Sequence, residues 1–468
     1  MHDAGWEVDL AGWNMKVSEL FKKRTKADTN RHGPSGAGVQ TLPRETRKRA
    51  AEKDSLPKFQ TTASDQLSAR SSDPLALMRS KLRTAFAPSQ PVAEHRMFAG
   101  RDETLRVIIR SIEDQRLHVV IYGERGIGKT SVLHMLTQSA IEARYIVIYT
   151  SCGANSTFDE TFRAASTAIP LLYHADYGPT SVEAERGETV ADLLPPRELS
   201  PRLFGDICAK LTGTRVLIIL DEFDRCESGA FRRDVAEIIK NLSDRQGRVQ
   251  LVLAGVAADL TQLVEHIPSI RRNVHAMRIP KMTDAEIMEI VANGERAAGF
   301  VFDPGAGTYV ASVALGSPYI ANLLCHHAGH AALDAGRSVI LPTDVSAAIA
   351  RAVLEFQGRI PQPMQAHIHK LFEEGLGEAM ANTARTALAR DGVFKVSDLS
   401  GLDDLEGRKA RQLVDALVAG GLLAVFDERD GEKRYSFVEE GLSTYLWIYW
   451  AQQQATQQPS KTRAAART

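Results

Sequence analysis

The chain has 468 residues, of which 44 % are hydrophobic and 25 % charged, and its formal net charge is −1. These values are ordinary for a globular protein of about three domains, and the charge balance excludes a chain-wide attraction to nucleic acid. The four cysteines lack the paired spacing of zinc ribbons and disulfide frameworks, so we interpret them as buried thiols in a reducing compartment.

Residues 1–90 are predicted to be a disordered, mildly basic arm and linker, because Gly, Pro, Ser and charged residues dominate there. Within it, "LALMRSKLRTAF" predicts a short amphipathic helix, and the ordered body is expected to begin near Phe98. The arm is either a solvated tail or a contact for an anionic partner. The chain shows no apolar signal segment and no stretch long enough to span a membrane, which predicts a cytoplasmic protein without a membrane partner.

Residues 91–280 alternate strand-like and helix-like segments, the pattern of an α/β fold in which a parallel sheet has helices on both faces. The predicted strands are nearly continuous runs of Val, Ile and Leu, which indicates burial on both faces. They are "LHVVIY" (117–122), "RYIVIYT" (144–150), "RVLIIL" (215–220), "VQLVLAG" (249–255) and "HAMRI" (275–279).

The segment "GERGIGKT" follows the first strand and opens a helix, and it matches the phosphate-binding loop G-x-x-x-x-G-K-[ST]. Its glycines allow backbone N–H groups to face phosphate oxygens, and the helix N-terminus adds positive potential. Lys129 is expected to reach the β- and γ-phosphates of ATP, and the Thr130 hydroxyl to ligate Mg²⁺. The predicted nucleotide-binding residues are Gly123, Glu124, Arg125, Gly126, Ile127, Gly128, Lys129, Thr130 and Ser131.

Two carboxylates end the third predicted strand, in "VLIILDEFDR". Asp221 is predicted to hold Mg²⁺, directly or through water, and Glu222 to act as the general base that polarises the attacking water. Either residue alone would more often be a helix cap, but the phosphate loop nearby favours the catalytic interpretation.

Together, "FAGRDE", "GERGIGKT", "LIILDEFD" and "GSPY" resemble segments of the AAA+ and STAND group of P-loop ATPases, and origin-recognition-type and transposition-helper ATPases look most similar. The resemblance implies an ATPase base over residues 91–280 and a helical lid over 281–358. It also implies that Arg101 and Pro318 lie near the nucleotide. Gly255, Val256 and Ala257 depart from the group's pattern, since relatives usually carry a polar sensor residue there.

Arg271 and Arg272 lie between the fourth and fifth predicted strands, where members of this group often carry an arginine finger that completes a neighbour's site. A pair of surface arginines is the alternative. A finger would make hydrolysis depend on homo-oligomer formation.

Residues 359–450 read as three helices followed by a hairpin, which predicts a winged-helix domain, and residues 451–468 are predicted to be a disordered tail. Arg408, Lys409 and Arg411 open the helix that would enter a DNA major groove. An intramolecular clamp is the alternative role, because acidic residues are mixed with basic ones in the hairpin.

The sequence therefore predicts a slow, Mg-ATP-dependent ATPase that acts as a switch and drives a conformational or assembly change through a protein partner. Two alternatives remain open: an ATP-dependent DNA-binding helper for replication or transposition, and a nucleotide-gated scaffold that does not hydrolyse ATP.

Overall fold

The computed structural model describes residues 74–465 except 93, 246, 258–269, 271, 400–407, 430 and 440. The predicted arm up to residue 73 lies outside the described residues. The first described element is helix α1 (Pro74–Ala85).

A five-stranded sheet forms the centre of the region that follows α1, and all of its strand pairings are parallel. Its strand order is β2-β3-β4-β1-β5. The elements in chain order are α2 (Asp102–Glu113), β1 (His118–Gly123), α3 (Lys129–Glu142), β2 (Ile146–Ser151), α4 (Phe158–Ser166), α5 (Val182–Glu185), α6 (Pro201–Cys208), β3 (Val216–Asp221), α7 (Gly229–Asp244), β4 (Val249–Val256) and β5 (Val274–Arg278). The predicted α/β fold and its five strands are confirmed, with ends that shift by up to two residues.

Successive residues of each strand belong to different cores, because side chains alternate across a sheet. On β1, Val120 packs into a core with α4, α6 and α7, while Val119 and Ile121 pack into a second core with α2 and α3. Burial on both faces explains the nearly continuous apolar runs in the sequence.

Helices follow the sheet and form a bundle, α8–α11, together with a small two-stranded parallel ribbon. Its elements are α8 (Asp284–Ala298), β6 (Val301–Phe302), α9 (Pro304–Ala314), α10 (Pro318–Asp334), β7 (Val339–Ile340) and α11 (Pro342–Gln357). They occupy the segment predicted to be a lid.

Helix α1 and the residue that follows it pack into this bundle. Leu82 and Phe86 are fully buried, and Arg79 forms an ion pair with Asp334 at 2.8 Å. Leu82 fills the space beside Gly329, and Phe86 fills the space beside Gly294. The structure thus confirms the short helix and corrects the predicted start of the ordered body, which lies before Phe98, because these two side chains bury apolar surface against distant partners.

The C-terminal region adds helices and a three-stranded antiparallel sheet of order β8-β10-β9. Its elements are α12 (Gln362–Glu373), α13 (Gly377–Ala389), β8 (Val393–Lys395), α14 (Arg408–Ala419), β9 (Leu423–Arg429), β10 (Glu432–Phe437) and α15 (Leu442–Ala465). The winged-helix assignment stays a prediction. Helix α15 extends to Ala465 and so includes most of the segment that was predicted to be a tail.

All four cysteines are free and buried, as predicted. In α10, His326 Nδ1 lies 2.8 Å from the Phe86 carbonyl and His327 Nε2 lies 2.7 Å from Glu355. These contacts place the two rings in packing roles. None of the described helices combines the length and apolar character needed to cross a membrane.

Candidate functional site

The loop between β1 and α3 contains the glycine conformations that phosphate binding requires. Gly126 and Gly128 have φ angles of 73° and 97°, in the left-handed region that favours glycine. Ile127 is buried between them, whereas Arg125 is exposed. Ser131, in the first turn of α3, accepts a hydrogen bond from Val92 N at 3.1 Å. The loop therefore exposes backbone at two glycines while an apolar residue fixes it to the core.

Lys129 is held inside this loop by its own backbone. Its ammonium group donates to the carbonyl oxygens of Gly123 at 2.9 Å and Glu124 at 2.8 Å. Burial lowers the pKa of Lys129 to about 8, and the carboxylates of Asp224 and Asp221 oppose this shift. The loop backbone thus holds the positive charge of Lys129 within the phosphate loop.

Thr130 and Asp221 meet although 90 residues separate them in the chain. Thr130 Oγ1 donates to Asp221 Oδ2 at 3.0 Å. The contact arises because β1 and β3 are parallel strands with only β4 between them, so their carboxyl ends lie at the same edge of the sheet. A hydroxyl and a carboxylate are the hard oxygen ligands that Mg²⁺ prefers, so the pair predicted as metal ligands is brought together.

Glu222 has a left-handed backbone, with φ of 53°, an uncommon conformation for a residue other than glycine. Its Oε2 accepts hydrogen bonds from Ser151 Oγ at 2.9 Å and from Arg225 Nη1 at 2.8 Å. The Ser151 hydrogen bond holds the pKa of Glu222 below its usual range; burial, the next largest effect, opposes this shift, and the Arg225 hydrogen bond supports it. Glu222 is therefore charged and held at the carboxyl edge.

Tyr149 contributes a further contact that sequence reasoning missed. Its hydroxyl donates to Asp221 Oδ2 at 2.5 Å. Burial, and then the hydrogen bond to Asp221, raise the pKa of Tyr149, so the phenol keeps its proton. Ser151 pairs with Asp221 in the β2–β3 register, and Tyr149, two residues earlier, lies on the same face of β2.

The carboxyl end of β4 lies between the phosphate loop and the two carboxylates. Val256, its last residue, is exposed, and its backbone N–H donates to Asp224 Oδ1 at 2.8 Å. Gly255, Val256 and Ala257 therefore place no polar side chain at the end of β4. Asp224 was not predicted, although "DEFD" contains it.

Arg101, predicted to contact nucleotide, lies at the junction of the sheet and the α8–α11 bundle. It is 4 % exposed and donates to the carbonyl oxygen of Pro280, which follows β5. Its Nε has no hydrogen-bond partner among the described residues. Burial lowers the pKa of Arg101, while Glu286 opposes that shift. The structure thus places Arg101 at the joint, and a nucleotide contact stays a prediction.

The N-terminus of α10 lies against the phosphate loop. A Cβ at Gly128 would lie 3.7 Å from Pro318 Cγ, and a Cβ at Gly126 would lie 3.1 Å from Tyr319 Cβ. Lys281, which precedes the bundle, forms an ion pair with Glu124 of the loop at 3.0 Å. The predicted residue Pro318 is therefore brought to the loop, together with Tyr319 and Lys281, which sequence reasoning missed.

Arg272 is exposed and precedes β5, so it lies toward the amino edge of the sheet, away from the phosphate loop of its own chain. Arg271 lies outside the described residues. Any role of this pair as a finger concerns a second chain and stays a prediction.

The family comparison agrees with this geometry. Residues 112–264, which contain the phosphate loop, Asp221 and Glu222, match the family model described as an AAA domain. The chain carries an AAA domain. The AAA domain includes all of β1–β4, so the match covers each strand end that forms the site.

Several solved structures are similar to the chain. The Thermotoga maritima RuvB Holliday junction branch migration motor is 15 % identical, with 78 % of this chain and 98 % of that chain covered and a TM-score of 0.42. The Aeropyrum pernix Orc1 protein in complex with DNA is 17 % identical, with 78 % and 95 % covered and a TM-score of 0.43. A Walker-type ATPase of Pyrococcus abyssi is 15 % identical, with 76 % and 98 % covered and a TM-score of 0.46. None of the curated proteins compared with the chain matches it.

Proposed function

We propose that the chain is an ATP-binding and ATP-hydrolysing switch protein that uses Mg-ATP to drive a conformational or assembly change. The observation that carries the proposal is the contact of Thr130 Oγ1 with Asp221 Oδ2 at 3.0 Å, because it joins the phosphate loop to the carboxylate strand in one site. This combination is typical of P-loop ATPases.

The residues at this edge fit Mg-ATP. Gly126 and Gly128 keep the loop backbone open to phosphate oxygens, and a side chain at Gly126 would meet Tyr319. Lys129 supplies a positive charge, while Thr130 and Asp221 offer oxygen ligands. Bound Mg²⁺ would neutralise phosphate charge. The chain's own residues orient the phosphates and hold the metal.

Glu222 is the proposed general base. A carboxylate accepts the proton of an attacking water, and the charged state of Glu222 suits this role. Ser151 and Arg225 both donate to its Oε2, so they hold the carboxylate in one orientation. Two donors on one oxygen leave the carboxylate further acceptor capacity, so a water can also bind Glu222.

The switch part of the proposal rests on the α8–α11 bundle. Pro318 and Tyr319 approach the loop glycines, and the Lys281–Glu124 ion pair links the loop to the start of the bundle. Phosphates bound at the loop would change the charge around this pair, so nucleotide state and bundle position are coupled.

Thermal unfolding with and without Mg-ATP tests the assignment. Lys129→Ala removes the positive charge next to the phosphates, so we expect Mg-ATP to stop stabilising the protein. The matched control is Lys240→Ala, which removes an exposed lysine of α7 and keeps the full stabilisation. Equal stabilisation of Lys129→Ala and wild type would remove the phosphate-loop assignment.

A DNA-binding helper is the second candidate, and Lys409 and Arg411 favour it because both are exposed on α14. The side chain of Arg408 lies outside the described residues. Replacing all three residues by Ala should leave ATP hydrolysis intact and lower duplex affinity together with its salt dependence. If the wild type shows no duplex binding with or without ATP, this candidate is wrong.

A scaffold that binds ATP without hydrolysing it is the third candidate. It is favoured by the apolar side chain of Val256 at the end of β4, where relatives in the resembling group usually carry a polar side chain. Single-turnover hydrolysis decides between this candidate and the ATPase, since a scaffold leaves bound ATP intact.

A further inference from the structure

Tyr149 touches the candidate magnesium site without belonging to either of its motifs. Its hydroxyl donates to Asp221 Oδ2 at 2.5 Å, and Thr130 donates to the same oxygen at 3.0 Å. Two hydroxyls from different elements, β2 and α3, thus meet at one carboxylate oxygen. Tyr149 as a whole residue is 37 % exposed.

The remaining oxygen of Asp221 is also engaged. Asp221 Oδ1 accepts the backbone N–H of Glu222 at 2.8 Å. An ionised carboxylate accepts about four hydrogen bonds through its two oxygens, and these three donors fix its orientation. The acceptor capacity that is left suits a single further group, such as Mg²⁺ or a water that Mg²⁺ holds.

The ring of Tyr149 is itself positioned by the helix that carries the phosphate-loop lysine. His134 of α3 contacts the ring edge-on, with ring centroids 5.7 Å apart and an interplanar angle of 74°. A phenylalanine would make the same ring contact, so packing alone does not require the hydroxyl. The hydroxyl's hydrogen bond goes to Asp221, and that contact is what distinguishes tyrosine here.

We propose that Tyr149 is a positioning residue for the Mg²⁺ of the bound nucleotide, acting through Asp221. Its hydroxyl holds the Asp221 carboxylate in the orientation that Thr130 also uses, and this lowers the entropy lost when the metal binds. The inference rests on the proposed function, because it takes Asp221 as the metal-holding carboxylate. It adds a residue outside the phosphate loop and the "DE" strand end.

The test compares ATP affinity with and without Mg²⁺, measured by equilibrium titration of a fluorescent ATP analogue in Mg²⁺ and in EDTA. The affinity in Mg²⁺ divided by the affinity in EDTA measures how much the metal contributes to binding, and its measurement needs no ATP turnover. Partners of metal ligands typically change metal affinity 10- to 100-fold, so we expect Tyr149→Phe to lower this ratio about tenfold. Affinity in EDTA should stay at the wild-type value.

The matched control is Tyr145→Phe, which removes a hydroxyl just before the amino end of β2, where Arg215 donates to it at 3.4 Å. This variant should keep the wild-type ratio. Tyr149→Met, which also lacks the donor, must lower the ratio as well, and nucleotide-free melting curves verify folding of each variant. A wild-type or higher ratio in Tyr149→Phe overturns the proposal; a higher ratio would mean that the hydroxyl competes with the metal.

The outcome separates this inference from the proposed function. If wild-type affinity for ATP does not depend on Mg²⁺, or if Lys129→Ala binds ATP normally, the proposed function fails. If both behave as expected and Tyr149→Phe keeps the wild-type ratio, only the role of Tyr149 is wrong.

Discussion

Glycines in the phosphate loop and in the α8–α11 bundle are there for different physical reasons. In the loop, Gly126 and Gly128 have positive φ angles, and they leave backbone open toward a ligand. In the bundle, Gly294 and Gly329 lie inside α8 and α10, and each leaves a hole that a side chain fills. A Cβ at Gly294 would lie 1.9 Å from Phe86 Cζ.

This contrast extends to the two regions as a whole. At the carboxyl edge of the sheet, charged side chains such as Lys129 and Glu222 are arranged for a ligand, and substitutions should change binding or turnover more than stability. In the bundle, apolar side chains such as Phe86 are arranged for packing, and substitutions should change stability while the site stays intact. Three experiments test this division.

The largest effect is expected for Glu222→Gln, which keeps the shape of the side chain and removes the charge of the general base. Loss of a general base typically lowers the rate about 10²- to 10⁴-fold, so turnover should fall by this factor while ATP binding survives. ATP turnover and light-scattering mass in ADP and ATP are the measurements. Glu227→Gln, an exposed carboxylate nearby, is the control and should keep wild-type turnover.

Wild-type turnover in Glu222→Gln would show that Glu222 is not the base. If the variant retains ATP but its mass does not change between ADP and ATP, hydrolysis stands, and the predicted assembly role of Arg271 or Arg272 loses its support.

In the bundle, Phe86→Ala should lower the free energy of unfolding by about 3 to 5 kcal/mol, because it empties a fully buried site. Gly294→Ala should cost about 1 to 3 kcal/mol through overpacking against the ring. In the double variant the new methyl group enters the emptied space, so the cost of Gly294→Ala should vanish. Urea denaturation measures all three variants.

Gly178→Ala is the control for the glycine, because a Cβ there meets no atom within 4 Å. Mg-ATP should stabilise each of these variants as it stabilises the wild type. If the losses of unfolding free energy add up in the double variant, or if Mg-ATP no longer stabilises these variants, the proposed division between packing residues and binding residues is wrong.

The smallest effect concerns His118, a packing residue of the sheet itself. It is buried at the amino end of β1, and its Nδ1 accepts the N–H of Leu251 at 2.9 Å. Burial lowers the pKa of His118 to about 4. In the unfolded chain this histidine takes up a proton near pH 6.5, whereas in the folded chain it does not. Its contribution to the free energy of unfolding is therefore fully present above pH 6.5 and is lost as the pH falls toward 4.

Between pH 7 and pH 5 this titration should lower the free energy of unfolding by about 2 kcal/mol. His118→Asn keeps an acceptor for Leu251 but does not titrate in this range. The urea midpoint of this variant should therefore depend less on pH than that of the wild type. Parallel pH profiles for the two proteins would assign the acid sensitivity to other groups.

The sequence predicted the five strands, the phosphate loop, Asp221 and Glu222, because each is encoded by a local run of residues. Tyr149 was missed because its contact depends on the β2–β3 register, which no short pattern encodes. The docking of α1 was missed for a similar reason. Its partners Gly294 and Gly329 lie more than 200 residues further along the chain, and a hole beside a helical glycine leaves no local signal.

The connection between α1 and the sheet limits how far the bundle can travel. Phe86 is buried in the bundle, and the backbone N–H of Val92 donates a hydrogen bond to Ser131 Oγ in the first turn of α3. A fully extended chain covers about 3.5 Å per residue, so the six peptide steps between these anchors reach at most about 21 Å. Pro88 and Pro91 stiffen this span. Phe86 and Val92 thus form the two ends of a short tether. A movement of the bundle larger than this tether allows requires that Phe86 leave its buried site or that the Val92–Ser131 hydrogen bond break.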